Sequence, residues 1–201
     1  MNRLQFSLAK LTGNEGALAA LSRDVLPELD GKRIALVGNA RSLTETTFGS
    51  AIDRADIVIR LNRAPMPDTR SHGARTDWLA LSTTIRRQDL SRLAPRRLLW
   101  MTSRRKRLSF AMAQHPGFYL HPEATTSLLG QELGSRPSTG CMTLDLLLRS
   151  DCVNIALYGF DFFDSQSLSG RRTSADVPHD FDAERAWTHA RVEKDPRLTL
   201  N

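Results

Sequence analysis

The stretch Arg33–Ala64, RIALVGNARSLTETTFGSAIDRADIVIRLNRA, constrains this chain more than any other. A short apolar run, Ile34–Val37, stops at Gly38-Asn39-Ala40, a polar turn and a helical stretch follow, and a second run, Ile57–Leu61, delivers Asn62 at its end. Strand, small-residue turn, helix and strand is the plan of a βαβ unit, whose ligands sit beyond the carboxyl ends of the strands. Gly38 lets the backbone turn and approach a ligand closely. Asn39 and Asn62 each bring an amide with two donors and an acceptor. Two such amides at neighbouring strand ends suit a nucleotide or a sugar better than an isolated phosphate, and equally they suit the capping of turns.

The rest of the chain repeats the alternation. Asp77–Leu81, Arg97–Met101, Gly117–Leu120 and Asn154–Tyr158 read as further strands. Helices are expected over Arg86–Leu93, between the fourth and fifth strands, over Thr125–Leu133, over Cys141–Leu148 and over Asp180–Glu193. Residues 1–30 form a helical segment with Leu18, Leu21 and Val25 on its buried face, and residues 31–201 form the main domain. The fold class expected is α/β, a single Rossmann-like domain with a mostly parallel sheet and helices on both faces.

Charge narrows the partners. Against 22 Asp+Glu stand 28 Lys+Arg, a net charge of +6 that favours nucleotide sugars, acidic glycans, anionic membrane or nucleic acid. No apolar run approaches the roughly 18 residues of a membrane span. Leu4, Leu8 and Leu11 are spaced as one helix face rather than as a signal-peptide core. The two cysteines, Cys141 and Cys152, do not make a disulfide framework, and with no export signal they point to a cytoplasmic, bacterial protein.

Three stretches carry chemistry. Ser138 and Thr139 are good helix N-caps, and Gly140 bares backbone N–H groups where the helix dipole is positive, so Pro137-Ser138-Thr139-Gly140 opens either an ordinary capped helix or an anion site. His179 stands before a helix with an ordinary pKa of about 6.5, which suits a general base at neutral pH; the alternative is a surface loop position such as His115, His121 and His189 take. Asp180-Phe181-Asp182 spells D-x-D, a metal-nucleotide signature, but acids at a helix start favour the dipole in any case, and no metal site is expected. The run Arg104-Arg105-Lys106-Arg107 lacks the aromatics that stack bases, so it reads as a solvated face, or as attraction to anionic lipid or lipid-linked glycan, rather than a nucleic-acid patch.

In order along the chain, VGNA with DIVIRLNRAP, PSTG with YGF, and His179 followed at five residues by Glu184 resemble the long, short and very short motifs of the animal-type sialyltransferases, glycosyltransferase family 29. The resemblance spans about Arg33 to Trp187 and implies a GT-A-like variant of the Rossmann-like fold and no cofactor. It implies an inverting, metal-independent transfer of sialic acid, or the related keto sugar Kdo, from its CMP ester to a glycan or glycolipid hydroxyl. Asn39 and Asn62 would hold the nucleotide, Ser138, Thr139 and Gly140 the phosphate or sugar carboxylate, and His179 the acceptor proton. Glu184 would fix the loop or contact His179. The chain departs from the family in places. The disulfide that joins the long and short motifs is replaced by Ile34 and Ser150, and the aromatic third motif reads Asp161-Phe162-Phe163-Asp164 without its histidine, a role Arg171 or Arg172 would take. Animal catalytic domains are longer and carry an N-terminal anchor. These departures leave a CMP or CMP-sugar binding protein without transferase activity as the alternative.

Overall fold

The computed structural model describes residues 1–162, 164, 165, 168 and 179–201. Phe163, Arg171, Arg172 and Pro178 lie outside the described residues. Among the described residues seven strands, β1 (Arg33–Val37), β2 (Ile57–Leu61), β3 (Trp78–Leu81), β4 (Arg97–Trp100), β5 (Phe118–Leu120), β6 (Asn154–Tyr158) and β7 (Leu198–Leu200), form one sheet in the order β5-β4-β3-β2-β1-β6-β7. Every pairing is parallel. The fold is thus α/β and Rossmann-like, with six strands where the apolar runs placed them. The seventh was not expected, because three residues at a sheet edge carry too little apolar pattern to be recognised.

The helices are α1 (Arg3–Thr12), α2 (Glu15–Ala19), α3 (Leu26–Leu29), α4 (Gly49–Asp53), α5 (Thr69–His72), α6 (Arg87–Leu93), α7 (Phe110–Ala113), α8 (Glu123–Leu133), α9 (Thr139–Leu148) and α10 (Phe181–Lys194). The single helix expected between β1 and β2 is instead a 3-10 turn, Arg41–Glu45, followed by α4. Likewise, the basic helix expected between β4 and β5 is a 3-10 turn, Arg105–Arg107, and then α7. On one face of the sheet Ile34, Leu36, Ile59, Trp78 and Leu157 pack with Leu144 and Leu147 of α9 and Trp187 of α10. On the other, Leu79, Leu98 and Trp100 meet Phe6 and Leu18 of α1 and α2, while Ala35, Val37 and Val58 meet Leu43 and Ile52. Burial on both faces is why these strands read as continuous apolar runs.

Leu4, Leu8 and Leu11 do share a helix face, but it points to solvent, and Phe6 and Ala9 make the buried one. Among the described residues no helix is long and apolar enough to cross a membrane. Both cysteines are free and buried.

Chain order reverses between β1 and β6, which opens a crevice at their carboxyl ends. The approach there is close: a Cβ on Gly38 would stand 2.2 Å from the Gly159 carbonyl oxygen, so only glycine fits. A second constraint lies in β2. Arg60 is 1% exposed, and its guanidinium donates to the Arg75 and His72 carbonyls at 2.7 Å each, pinning the return from α5 to β3. Burial pushes its pKa down to about 10, so it stays charged, with carbonyls rather than a carboxylate as partners.

Candidate active site

A cavity of about 410 Å³ opens at the carboxyl edge of the sheet, and Asn39, Asn62, Ser138, Thr139, Gly140, His179 and Glu184 all line it. Residues up to 145 positions apart in sequence are thereby gathered from β1, β2, the start of α9 and the approach to α10.

Asn62 ends β2 in the left-handed region, φ 54°, a conformation that Asn adopts more readily than most residues. Its Oδ1 accepts from the Ser82 N–H at 3.0 Å, and its Nδ2 donates to Thr139 Oγ1 at 3.3 Å, which leaves one amide hydrogen for a ligand. Asn39 donates from Nδ2 to the Leu61 carbonyl at 3.1 Å. The two amides are therefore cross-braced to β2, β3 and α9. Ser82 is a site residue the sequence analysis missed. The available signal was position: it follows β3 at the same sheet edge where Asn62 follows β2.

Ser138 caps α9, its Oγ accepting from the Cys141 N–H at 3.2 Å. The Thr139 and Gly140 N–H groups, at the first two positions of the helix, have no intrahelical acceptor. Phe160, from the end of β6, closes over this turn: a Cβ on Gly140 would lie 2.8 Å from its ring.

Glu184 is 3% exposed and reaches across from α10 to the same turn. Its carboxylate accepts the Ser138 N–H at 2.5 Å and the Ser138 hydroxyl at 2.7 Å. Burial pushes its pKa up to about 7, against the lowering effect of those two bonds. It braces the PSTG turn, and its hydrogen bonds go to Ser138 and not to His179.

His179 is half-buried beside the edge of Phe181, ring centroids 5.8 Å apart. Its Nδ1 lies 2.8 Å from the Arg136 carbonyl, an acceptor only, so Nδ1 must carry the proton and Nε2 is left with its lone pair. Burial lowers its pKa, the hydrogen bond to Arg136 raises it, and the charges of Arg136 and Arg104 lower it further; the net shift is downward. The imidazole is neutral at neutral pH. Of the other histidines expected in surface loops, His115 lies between α7 and β5, but two differ. His121 is 1% exposed, its pKa pushed down to about 4 by burial, and His189 is on α10 rather than in a loop.

Asp180 caps α10, accepting from the Ala183 N–H at 2.9 Å, and Asp182 sits in the first turn, where the helix dipole favours an acid. Of the aromatic third stretch, Asp161 accepts from the Ser42 hydroxyl at 3.0 Å, and Asp164 pairs with Arg185, which lies over the Phe162 ring.

Among solved structures, a mammalian sialyltransferase superposes with a TM-score of 0.65 at 20% identity, over 100% of this chain and 79% of that one. The complex of a mammalian sialyltransferase with Gal-beta-1-3GalNAc-ortho-nitrophenol gives 0.61 at 20% identity, over 92% and 76%. CstII of Campylobacter jejuni, a sialyltransferase bound to the substrate analogue CMP-3FNeuAc, gives 0.56 at 12% identity, over 84% and 81%. No curated protein sequence matches significantly. The sequence profile of glycosyltransferase family 29 (sialyltransferase) covers residues 14–114, half of the chain and all of β1 to β4, and the chain belongs to that family.

Proposed function

We propose that this sialyltransferase-like enzyme moves sialic acid, or its relative Kdo, from a CMP ester to a glycan or glycolipid hydroxyl, with inversion and without a metal. The observation that carries this reading is the 2.8 Å contact of His179 Nδ1 with the Arg136 carbonyl. With Nδ1–H held by the Arg136 carbonyl, Nε2 is free to take the proton of the acceptor hydroxyl. The acceptor oxygen then bonds to the anomeric carbon, the bond from that carbon to the CMP phosphate oxygen breaks, and CMP leaves with the bonding electron pair. The gained charge is met by the Thr139 and Gly140 N–H groups at the start of α9. A CMP-sugar carries one phosphate, so one helix N-terminus suffices where a nucleotide diphosphate calls for a divalent ion. The analogue CMP-3FNeuAc bound by the Campylobacter jejuni protein supports a CMP-sugar donor here.

The experiment is CMP release from CMP-sialic acid and CMP-Kdo, with and without acceptor. His179→Ala is expected to lower transfer by about 10²- to 10⁴-fold, with CMP affinity retained. Wild-type rate is expected to rise with pH with a midpoint below the ordinary histidine value, since the pKa of His179 is lowered. An unchanged rate in His179→Ala puts the base elsewhere. Binding of donor without transfer or hydrolysis in the wild type makes the chain a CMP-sugar binding protein.

A further inference from the structure

Three arginines, Arg104, Arg107 and Arg136, line one wall of the cavity, and none has a carboxylate partner among the described residues. Several other arginines do have one, as in Arg33 with Asp56, Arg149 with Asp145 and Arg197 with Asp195, whereas Arg63, which also lines the cavity, does not among the described residues. The two carboxylates that do line the cavity are engaged otherwise, Asp161 with Ser42 and Ser165, Glu184 with Ser138.

The cluster is built rather than loose. Thr102, 1% exposed, accepts at its Oγ1 from Arg136 Nη2 at 3.2 Å and from the Arg104 backbone N–H at 3.3 Å, which fixes the two segments side by side. Beneath them Arg105 is buried, bonded to the Thr102 and His121 carbonyls at 2.6 Å each and paired with Glu15 of α2. With Arg105 anchored inward, the 3-10 turn holds Arg104 and Arg107 outward at the cavity mouth. Burial and the charges of Arg104 and Arg107 lower the pKa of Arg136, the sign of cations crowded without a counter-ion.

The position of the cluster selects the ligand. The Arg136 carbonyl is the group that holds His179, and the charges of Arg136 and Arg104 bear on its imidazole, so the arginines adjoin the base. We propose that Arg104, Arg107 and Arg136 form an acceptor subsite for an anionic group, a carboxylate or a phosphate ester, carried on the sugar whose hydroxyl faces His179. This rests on the transferase reading above and deepens it: the acceptor is an acidic glycan. Arginine forks bind carboxylate and phosphate with paired, charge-assisted hydrogen bonds, and at a half-exposed mouth the gain is sensitive to salt.

The test measures binding of three matched galactosides to the full chain saturated with CMP: one neutral, one bearing a carboxylate and one bearing a phosphate ester. Transfer from CMP-sialic acid is followed in parallel. An acidic galactoside is expected to bind about ten-fold more tightly than the neutral one, and the two acidic arms identify the group. Arg104→Gln combined with Arg107→Gln, exposed side chains whose loss leaves no buried partner unpaired, is expected to bring that ratio to within about two-fold, while CMP affinity stays the same. Equal binding of neutral and acidic galactosides by the wild type overturns the proposal. So does a double variant that loses CMP-sugar affinity and retains the ratio, because the arginines then serve the donor. If the chain discriminates between the galactosides and yet transfers nothing, the subsite stands and the transferase reading fails.

Discussion

Glu184 gives the sharpest test of how the site is held together. Burial pushes its pKa up to about 7 from a free value of 4.5. A carboxyl whose folded pKa lies above its unfolded one adds stability that is fully present below the unfolded value and is lost as pH rises through the folded value. Working the linkage with those two values, the contribution of Glu184 falls by roughly 2–3 kcal/mol between pH 5 and pH 8. Glu184→Gln keeps the shape and an acceptor for the Ser138 N–H but does not titrate. The buried histidines, whose pKa values are lowered, change stability in the opposite sense at the acid end, but they are common to both proteins and cancel in the difference. Urea unfolding of wild type and variant at half-unit steps should therefore show the variant gaining on the wild type by roughly 2–3 kcal/mol from pH 5 to pH 8. Parallel curves would refute the reasoning, because they would mean that Glu184 titrates alike in the folded and unfolded chain. Glu184→Ala, by contrast, leaves the Ser138 N–H unpaired and is expected to destabilise at every pH and to weaken CMP binding, as the turn at the start of α9 loosens.

Two predictions concern the donor. Asn62→Ala removes the bonds to Ser82 and Thr139 and places alanine at φ 54°, so CMP affinity should fall by about 1–3 kcal/mol with a parallel drop in melting temperature; unchanged affinity in a folded variant would make Asn62 a turn-former alone. CMP binding measured by calorimetry should be the same with and without excess EDTA, and a requirement for Mg²⁺ or Mn²⁺ would promote Asp180 and Asp182 from helix capping to metal binding.

Six of the strands, and the edge of the sheet where the cavity opens, were legible in the sequence for one physical reason. A parallel strand covered on both faces must be apolar along its whole length, and it must end in residues that turn, so runs such as IALV-GN and IVIRL-N announce both the strand and the residue placed at its tip. Spacing conveyed the cap at Ser138 equally well, because a cap is a bond between residues three apart, whereas Asp180, expected inside the last helix, turns out to be its cap. What the tertiary structure alone decided is everything that depends on which distant groups meet. Leu4, Leu8 and Leu11 have the period of a buried face, yet Phe6 and Ala9 take the core, since the sheet and not the helix determines which side is covered. His121 and His179 are alike as residues. One ends β5 inside the core, and the other meets the Arg136 carbonyl, which selects its tautomer. In the run Arg104-Arg105-Lys106-Arg107, composition shows four equivalent cations, and only Glu15 and two carbonyls, brought from α2 and from the ends of β4 and β5, turn Arg105 inward and leave its neighbours at the cavity. Local pattern reaches as far as a chain's own turns and hydrogen-bonded neighbours. A buried charge finds its partner across the fold, and no period in the sequence encodes that distance.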